Sequence, residues 1–303
     1  MAQLKHYLLL HFVVLIWGFT AVLGLLISIP SVEVVFYRTL IASVALAAVL
    51  LIGKKPWVLP RATTVAILGT GVLIAAHWIL FFAAARVANA SVCLAGMATC
   101  SLWTSLLEPW MTGRKIRLYE VGLGLLVIVG LYVIFRFEFD HALGLAMAIA
   151  SAMLGAVFTI LNARFARQHD AYVITFYEMV GACLSVTLFF PVYIAYLSEA
   201  GTLQLILTAS DWMYLLILSL VCTLYAFSVS VNLMRYVTAF AMNLTNNLEP
   251  VYGILLAVLI FGEKETMSMP FYGGTAIILL SVLAYPVIRR VQRRRALSPE
   301  LIS

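Results

Sequence analysis

The chain has 303 residues, of which 64% are hydrophobic and 11% are charged, with a mean hydropathy of +1.06 and a formal net charge of +6. A soluble domain carries about 25% charged residues, so this composition excludes an ordinary soluble domain and indicates that lipid is the main solvent. The four cysteines lie in apolar stretches without metal-ligand spacing, and we interpret them as buried thiols rather than as a metal site or a disulfide framework.

Apolar runs of about twenty residues recur along the chain and predict an all-α membrane protein. At about 1.5 Å per residue, a helix of this length crosses a hydrocarbon core of about 30 Å. The first run is too long for the apolar region of a signal peptide and has no Ala-x-Ala site after it, so we predict that it is the first span. The ten predicted transmembrane helices are residues 7–27, 32–52, 62–83, 91–111, 118–136, 142–163, 172–198, 211–234, 239–261 and 270–288.

Basic residues lie mostly on one side of these spans. Fifteen Lys and Arg residues fall on the side of both termini, and only Arg86, Arg136 and Lys264 fall on the other. This asymmetry predicts a multi-pass protein of the cell (inner) membrane with both termini in the cytoplasm. For the basic tail, residues 289–303, two interpretations stay open: a flank that stops translocation, or a contact with anionic lipid.

The second half of the sequence repeats features of the first. At an offset of 149, Arg86 matches Arg235 and Ala90 matches Ala239; at 140, Phe36-Tyr37 matches Phe176-Tyr177. We therefore predict a first repeat at 1–141 with spans one to five, a second at 142–288 with spans six to ten, and the tail. Because five spans is an odd number, the two halves insert with opposite orientation, which is an inverted repeat and allows the assembly to open to either side.

Span nine carries an unusual polar segment at its centre. An ionisable group at this depth costs at least ~2.5–3.5 kcal/mol, so Glu249 needs a partner or a wet cavity. Pro250 frees the carbonyl of Asn246, and Asn243, Asn246, Asn247 and Pro250 lie close to one helical face. We predict that these five residues bind substrate. The alternative is that they are packing contacts between helices.

Arg38 and Glu178 are the other two ionisable residues clearly inside spans. Arg38 lies about 9 Å from the outer end of span two, and Glu178 occupies the repeat-related place in span seven. We predict a coupling or gating role for both, against the alternative that their long side chains reach back to the interface.

Several aromatic side chains are candidates for the rest of a substrate cavity, although any one of them could serve in packing or in the aromatic belt instead. His77 could in addition titrate near neutrality. The candidates are Trp17, His77, Trp78, Trp103 and Tyr225.

Taken together, these segments resemble the EamA-type members of the drug/metabolite transporter superfamily over nearly the whole chain. The first half departs from the pattern, since Cys100-Ser101 stands where a proline is expected and Arg114 follows Gly113. The motifs that carry the resemblance are Trp17-Gly18, Tyr37-Arg38-Thr39-Leu40-Ile41-Ala42, Leu248-Glu249-Pro250-Val251-Tyr252, Leu255-Leu256-Ala257 and Gly262-Glu263.

The resemblance implies an inverted-repeat bundle with a central cavity, in which spans one to four and six to nine line or gate the cavity and spans five and ten are peripheral. It also implies transport of small metabolites, often the export of amino acids or related compounds. We accordingly predict a secondary active or facilitative transporter of small polar metabolites that works by alternating access, with protons as a candidate coupling ion and no cofactor, metal or nucleic-acid partner. The oligomeric state stays open.

Two other classes of function are alternatives. A sensor or scaffold of the same fold would need a soluble segment to relay a signal, and the longest loop has about a dozen residues. An intramembrane enzyme would need a Ser–His pair, an aspartate dyad or zinc ligands, and Asp140, Asp170 and Asp211 all border loops. We predict that the chain is not an enzyme.

Overall fold

The computed structural model describes residues 3–134, 142–249, 251–252 and 269–297. All regular secondary structure in these residues is helical. The elements are α1 (Leu4–Trp17), α2 (Thr20–Leu26), α3 (Ser31–Ile52), α4 (Arg61–Val87), α5 (Ala90–Met97), α6 (Cys100–Thr112), α7 (Leu118–Ile134), α8 (Ala142–Phe165), α9 (Ala171–Tyr196), α10 (Ala209–Leu216), a π-helical segment (Ile217–Tyr225), α11 (Ala226–Leu233), α12 (Ala239–Asn246) and α13 (Met269–Leu297).

Six of the predicted spans are long, apolar helical stretches that can cross a membrane. These are α1–α2, α3, α4, α8, α9 and the continuous stretch from α10 to α11, which correspond to predicted spans one, two, three, six, seven and eight. Helices α5–α6, α7, α12 and α13 occupy the places of spans four, five, nine and ten. The part of span nine after Tyr252 lies outside the described residues, as do Arg136 and Lys264.

The structure interrupts three of the predicted spans. Span one breaks at Gly18-Phe19, span four at Ala98-Thr99, and span nine at Asn247-Leu248. The breaks in spans four and nine are 149 residues apart, which is the offset found in the sequence. Hydropathy cannot reveal a break of two residues when both flanks are apolar.

Two further features differ from the sequence prediction. Helix α13 runs to Leu297, so residues 289–297 of the predicted tail continue the last helix. In span eight the π-helical segment, with its wider turn, adds a residue to the ladder at mid-span.

Helix packing follows a two-fold pattern that exchanges the two repeats. Three pairs of equivalent spans pack on each other: α3 with α9, α6 with α12, and α7 with α13. Helix α4 packs against α8 and α9, and its repeat equivalent, the stretch from the π segment to α11, packs against α1 and α3. The fold is therefore a two-repeat helical bundle in which the helices of one repeat pack against those of the other.

Candidate functional site

The interrupted spans meet around a cavity at the centre of the bundle. The cavity has a volume of about 90 Å³. Among the described residues, α7 and α13 contribute nothing to its wall. The polar side chains of the wall are Trp17, Thr20, Arg38, Cys100, His77, Trp78, Thr159, Ser230, Asn243, Asn246, Asn247 and Glu249.

Arg38 is held rigidly at the wall of this cavity. Its side chain is 3% exposed, its Nε donates to Thr223 Oγ1 at 2.7 Å, and its Cζ lies 3.6 Å from the centre of the Trp78 ring. Stacking on an indole face stabilises a desolvated guanidinium by about 2 kcal/mol. The terminal nitrogens Nη1 and Nη2 make no hydrogen bond within the described part of the chain and are not among its unpartnered buried atoms. The guanidinium group is one of the polar groups of the cavity wall.

Glu249 brings a carboxyl group to the same cavity. It follows the break in span nine, and its Oε1 accepts a hydrogen bond from Thr20 Oγ1 at 3.3 Å. Thr20 also donates to the carbonyl of Trp17 at 2.7 Å, across the break between α1 and α2. No ion pair joins Glu249 to Arg38 in the described structure. The cavity thus presents a cationic and an acidic group at separate points of its wall.

The three asparagines of span nine have different roles in the structure. Asn243 Nδ2 donates to Thr104 Oγ1 at 2.7 Å, and Asn247 Nδ2 donates to Ser101 Oγ at 3.0 Å. These two tie α12 to α6, close to the break in span four. Asn246 Oδ1 is buried, and it has no hydrogen-bond partner among the described residues.

His77 has one nitrogen fixed by the protein. Nδ1 lies 2.9 Å from the carbonyl oxygen of Ser151, while Ser151 Oγ donates to the His77 carbonyl at 2.8 Å. A carbonyl oxygen can only accept, so Nδ1 carries a hydrogen and a neutral His77 has its lone pair on Nε2. The residue is 8% exposed and lines the cavity.

The other candidates from the sequence lie in different places. Trp17 lines the cavity and donates from Nε1 to the carbonyl of Cys222 at 3.0 Å. Trp103 packs beside Cys100 outside the cavity, and Tyr225 is 38% exposed on the outside of the bundle. Pro250 lies outside the described residues.

Glu178 also lies outside the cavity wall, fully buried between α4, α8 and α9. The repeat-related pair Arg38 and Glu178 is thus divided between the cavity and a separate buried region. Both side chains are buried, with Arg38 3% exposed and Glu178 0% exposed.

Two residues of the site were missed by the sequence analysis. Thr223 lies in the π-helical segment, where its hydroxyl accepts the hydrogen bond from Arg38 and donates one to the Leu218 carbonyl at 2.9 Å. No sequence signal marks this π-helical segment. Phe227 packs edge-to-face on Trp78 with ring centroids 6.0 Å apart. The offset of 149 pairs Trp78 with Phe227 and could have identified the second residue.

Two tyrosines at equivalent positions of the two repeats make equivalent hydrogen bonds. Tyr37 Oη donates to the Leu205 carbonyl at 2.9 Å, and Tyr177 Oη donates to the Trp57 carbonyl at 2.9 Å. Each bond joins the second span of one repeat to the loop after the second span of the other. The sequence match of Tyr37 with Tyr177 is therefore a match of contacts as well.

Two arginines make a similar related pair at the ends of spans three and eight. Arg86 donates to the carbonyls of Gly24 and Ile27 at 3.0 and 3.1 Å, and Arg235 donates to the carbonyl of His169. Arg86 binds carbonyls at the end of the first span of its repeat, and Arg235 binds a carbonyl just after the first span of its own repeat.

A cluster of ion pairs around Arg114 connects the end of α6 with the start of α7. Arg114 Nη2 lies 2.7 Å from a carboxylate oxygen of Glu108 and 2.7 Å from one of Glu120, which is 1% exposed. Burial lowers the pKa of Arg114, but the two carboxylates outweigh it and raise the pKa above its ordinary value. The Arg114 that departs from the family pattern thus joins span four to the peripheral span five.

Comparisons with known proteins agree with this architecture. The sequence profile of the EamA-like transporter family matches residues 4–136 and 142–285. A solved structure, described only as a crystal structure of a protein, has a TM-score of 0.72 over 93% of this chain and 96% of that chain, at 18% identity. A likeness at this identity concerns the fold alone. Comparison with curated proteins gives no significant match.

The chain belongs to the EamA-like transporter family of the drug/metabolite transporter superfamily, since the family profile covers most of it in two segments. It is accordingly an integral membrane protein. Members of this family are transporters rather than enzymes, so its partners include a small-molecule substrate and the surrounding lipid.

Proposed function

We propose that this family member is a carrier of small zwitterionic metabolites such as amino acids, which binds them in the central cavity and exports them by alternating access. The observation that carries the proposal is the pair of Arg38 and Glu249, an anion-binding and a cation-binding group on one cavity wall without an ion pair between them. An α-amino acid carries the complementary pair of charges.

In the proposed complex, the substrate carboxylate binds the terminal nitrogens of Arg38. The guanidinium offers two parallel donors, and Trp78 and Thr223 already fix its plane, so little side-chain entropy is lost on binding. The substrate ammonium binds Glu249 and the Oδ1 of Asn246, which both line the cavity on either side of the break in span nine.

The proposed site is lined by aromatic rings around these polar groups. His77, Phe81, Phe158 and Phe227 face the cavity, and Met97, Met234 and Met242 complete it with flexible apolar side chains. Such a wall accepts apolar and aromatic substrate side chains of several shapes. We expect selectivity for the charged backbone of the substrate and tolerance of its side chain.

Alternating access is supported by contacts that exist in related pairs. We propose that the two halves are five-span inverted repeats, residues 1–141 and 142–288, with both termini in the cytoplasm of the cell (inner) membrane. The bonds of Tyr37 and Arg86 then close the outer side, and the bonds of Tyr177 and Arg235 close the inner side. Breaking one set while the other stays formed opens the cavity to one side only.

The experiment is substrate counterflow in proteoliposomes with three matched ligands: an amino acid, its amide, which lacks the carboxylate, and the amine left when the carboxylate is removed. We expect the wild-type protein to exchange the amino acid and neither analogue. Glu249→Gln should abolish the exchange while the protein still purifies as a folded species.

The outcome of the ligand series is decisive. Exchange of the amide as fast as the amino acid would contradict the binding of the substrate carboxylate by Arg38. Normal amino-acid exchange by the Glu249→Gln variant would contradict the binding of the ammonium by Glu249. No exchange of any amino acid by the wild type would contradict the proposal as a whole.

A further inference from the structure

A second polar site lies away from the central cavity, where α4, α8 and α9 pack together. Glu178 of α9 and Asn162 of α8 are both 0% exposed, and their side chains lie beside each other. In the described part of the chain, no third group forms a hydrogen bond with the Glu178 carboxyl or with the Asn162 amide. Buried polar atoms are paired in the large majority of cases, so a carboxyl group and an amide that meet only each other need an explanation.

The surroundings of Glu178 determine its charge. The charged side chains and the histidine on α3, α4 and α8 have other contacts or are exposed: Glu33 accepts from the Gln204 backbone N–H, Arg38 stacks on Trp78, His77 bonds Ser151, Arg86 caps α2, and Arg61 and Arg164 are exposed. No cation among the described residues faces the carboxyl group. A buried carboxylate without a cation costs several kcal/mol, so Glu178 carries a proton in this conformation.

The two sites are joined by a buried polar stripe on α8. Thr159 lines the central cavity and donates to Asn243 Oδ1 at 3.4 Å. Asn162 follows one turn later on the same face, because residues three apart are neighbours on a helix, and it lies next to Glu178. Thr159 is 3% exposed and Asn162 is 0% exposed. The stripe therefore leads from the cavity to the carboxyl group of Glu178 within the protein interior.

We propose that Glu178 and Asn162 form a proton-binding site that couples transport to a proton gradient. The proposal rests on the carrier function proposed above and names its coupling ion. In the conformation described here the carboxylic acid keeps its proton, with the Asn162 amide as a neutral neighbour. When the packing of α4 on α9 loosens and water enters, the acid transfers its proton to water and becomes a carboxylate. The return step requires that Glu178 takes up a proton again.

The packing around the site explains why its state depends on the conformation. Gly71 of α4 faces the backbone of Glu178 and Ala182 so closely that a Cβ would overlap both. Water has no room at this contact while the helices are in place. A movement of one repeat against the other changes the α4–α9 contact and so alters the hydration of Glu178.

The test compares wild type with Glu178→Gln in proteoliposomes, using labelled amino acids and two readouts. The first readout is accumulation driven by a pH gradient, and the second is counterflow without a gradient. Glutamine has the shape of the neutral acid and cannot release a proton. We expect the variant to lose gradient-driven accumulation entirely and to retain counterflow.

The two proposals fail in different ways. Gradient-driven accumulation that persists in the Glu178→Gln variant, or a wild type whose accumulation ignores the gradient, overturns the proton site and leaves the carrier intact. Absence of wild-type counterflow counts against the carrier itself.

Infrared difference spectroscopy gives a readout that does not depend on transport. The wild type should show the carbonyl stretch of a protonated carboxylic acid, and Glu178→Gln should lose that band. If this variant does not fold, Asn162→Leu, which keeps Glu178, should shift the band. A band that stays unchanged in both variants, or a wild type with only ionised carboxylates, refutes the site.

Discussion

Arg38 and Glu178 occupy the same place in the two repeats and have opposite environments. Each is the eighth residue of its helix, α3 from Ser31 and α9 from Ala171. Each follows a Phe-Tyr pair, and the two tyrosines make equivalent bonds. Arg38 nevertheless lines the central cavity, whereas Glu178 lies outside it and is fully buried.

The two environments differ because different residues surround Arg38 and Glu178, although the two residues have equivalent backbone positions. Arg38 meets the Trp78 ring and the hydroxyl that the π-helical segment supplies, and both suit a cation. Glu178 meets a neutral amide and the backbone beside Gly71. A repeat can thus keep a backbone position in both halves while each half uses it for a different purpose.

The largest expected effect is on Arg38 itself. In Arg38→Lys the cation stays but the planar pair of donors is lost. Removing two charge-assisted hydrogen bonds of ~1.5 kcal/mol each should weaken amino-acid binding about 100-fold. Competition in counterflow measures the affinity, and Arg164→Lys on the exposed face of α8 is the control. An equal affinity in both variants would show that the guanidinium geometry is unimportant.

The second prediction concerns the tighter helix packing beside Glu178 compared with the packing at the cavity. Gly71→Ala places a methyl group against the backbone of α9, and we expect a loss of ~2 kcal/mol of stability. Gly155→Ala is the matched change in the cavity, where the new Cβ would lie 3.4 Å from Cys100 Sγ. Thermal unfolding in detergent should show a lower Tm for the first variant only. Equal Tm values would contradict the contrast.

The smallest effect tests the tyrosine bonds as a related pair. Tyr37→Phe and Tyr177→Phe each remove one hydrogen bond of ~1 kcal/mol, enough for about a fivefold shift between conformations. The cavity cysteine Cys100 reports access to a membrane-impermeant maleimide, once the other three cysteines are replaced. We expect the two variants to increase labelling from opposite sides of the membrane. An increase from the same side for both would reject their assignment to opposite closures.

Much of the site could be predicted from the sequence because charged and amide side chains are rare in an apolar span. Glu249, Asn246 and Arg38 stand out for that reason, and all three lie on the cavity wall. Trp103 and Tyr225 could not be sorted in this way, since an aromatic side chain is as common in packing as in binding. The structure places both outside the cavity.

The sequence by itself determined the membrane environment, most of the span positions, the two-fold repeat and the family. These depend on composition and on spacing along the chain, which are local properties. Only the tertiary structure decided that Arg38 reaches Thr223 and that Glu178 meets Asn162, as well as which asparagines bind neighbouring helices. Those outcomes depend on helix breaks of two residues and on contacts between residues far apart in the chain, and no local pattern specifies them.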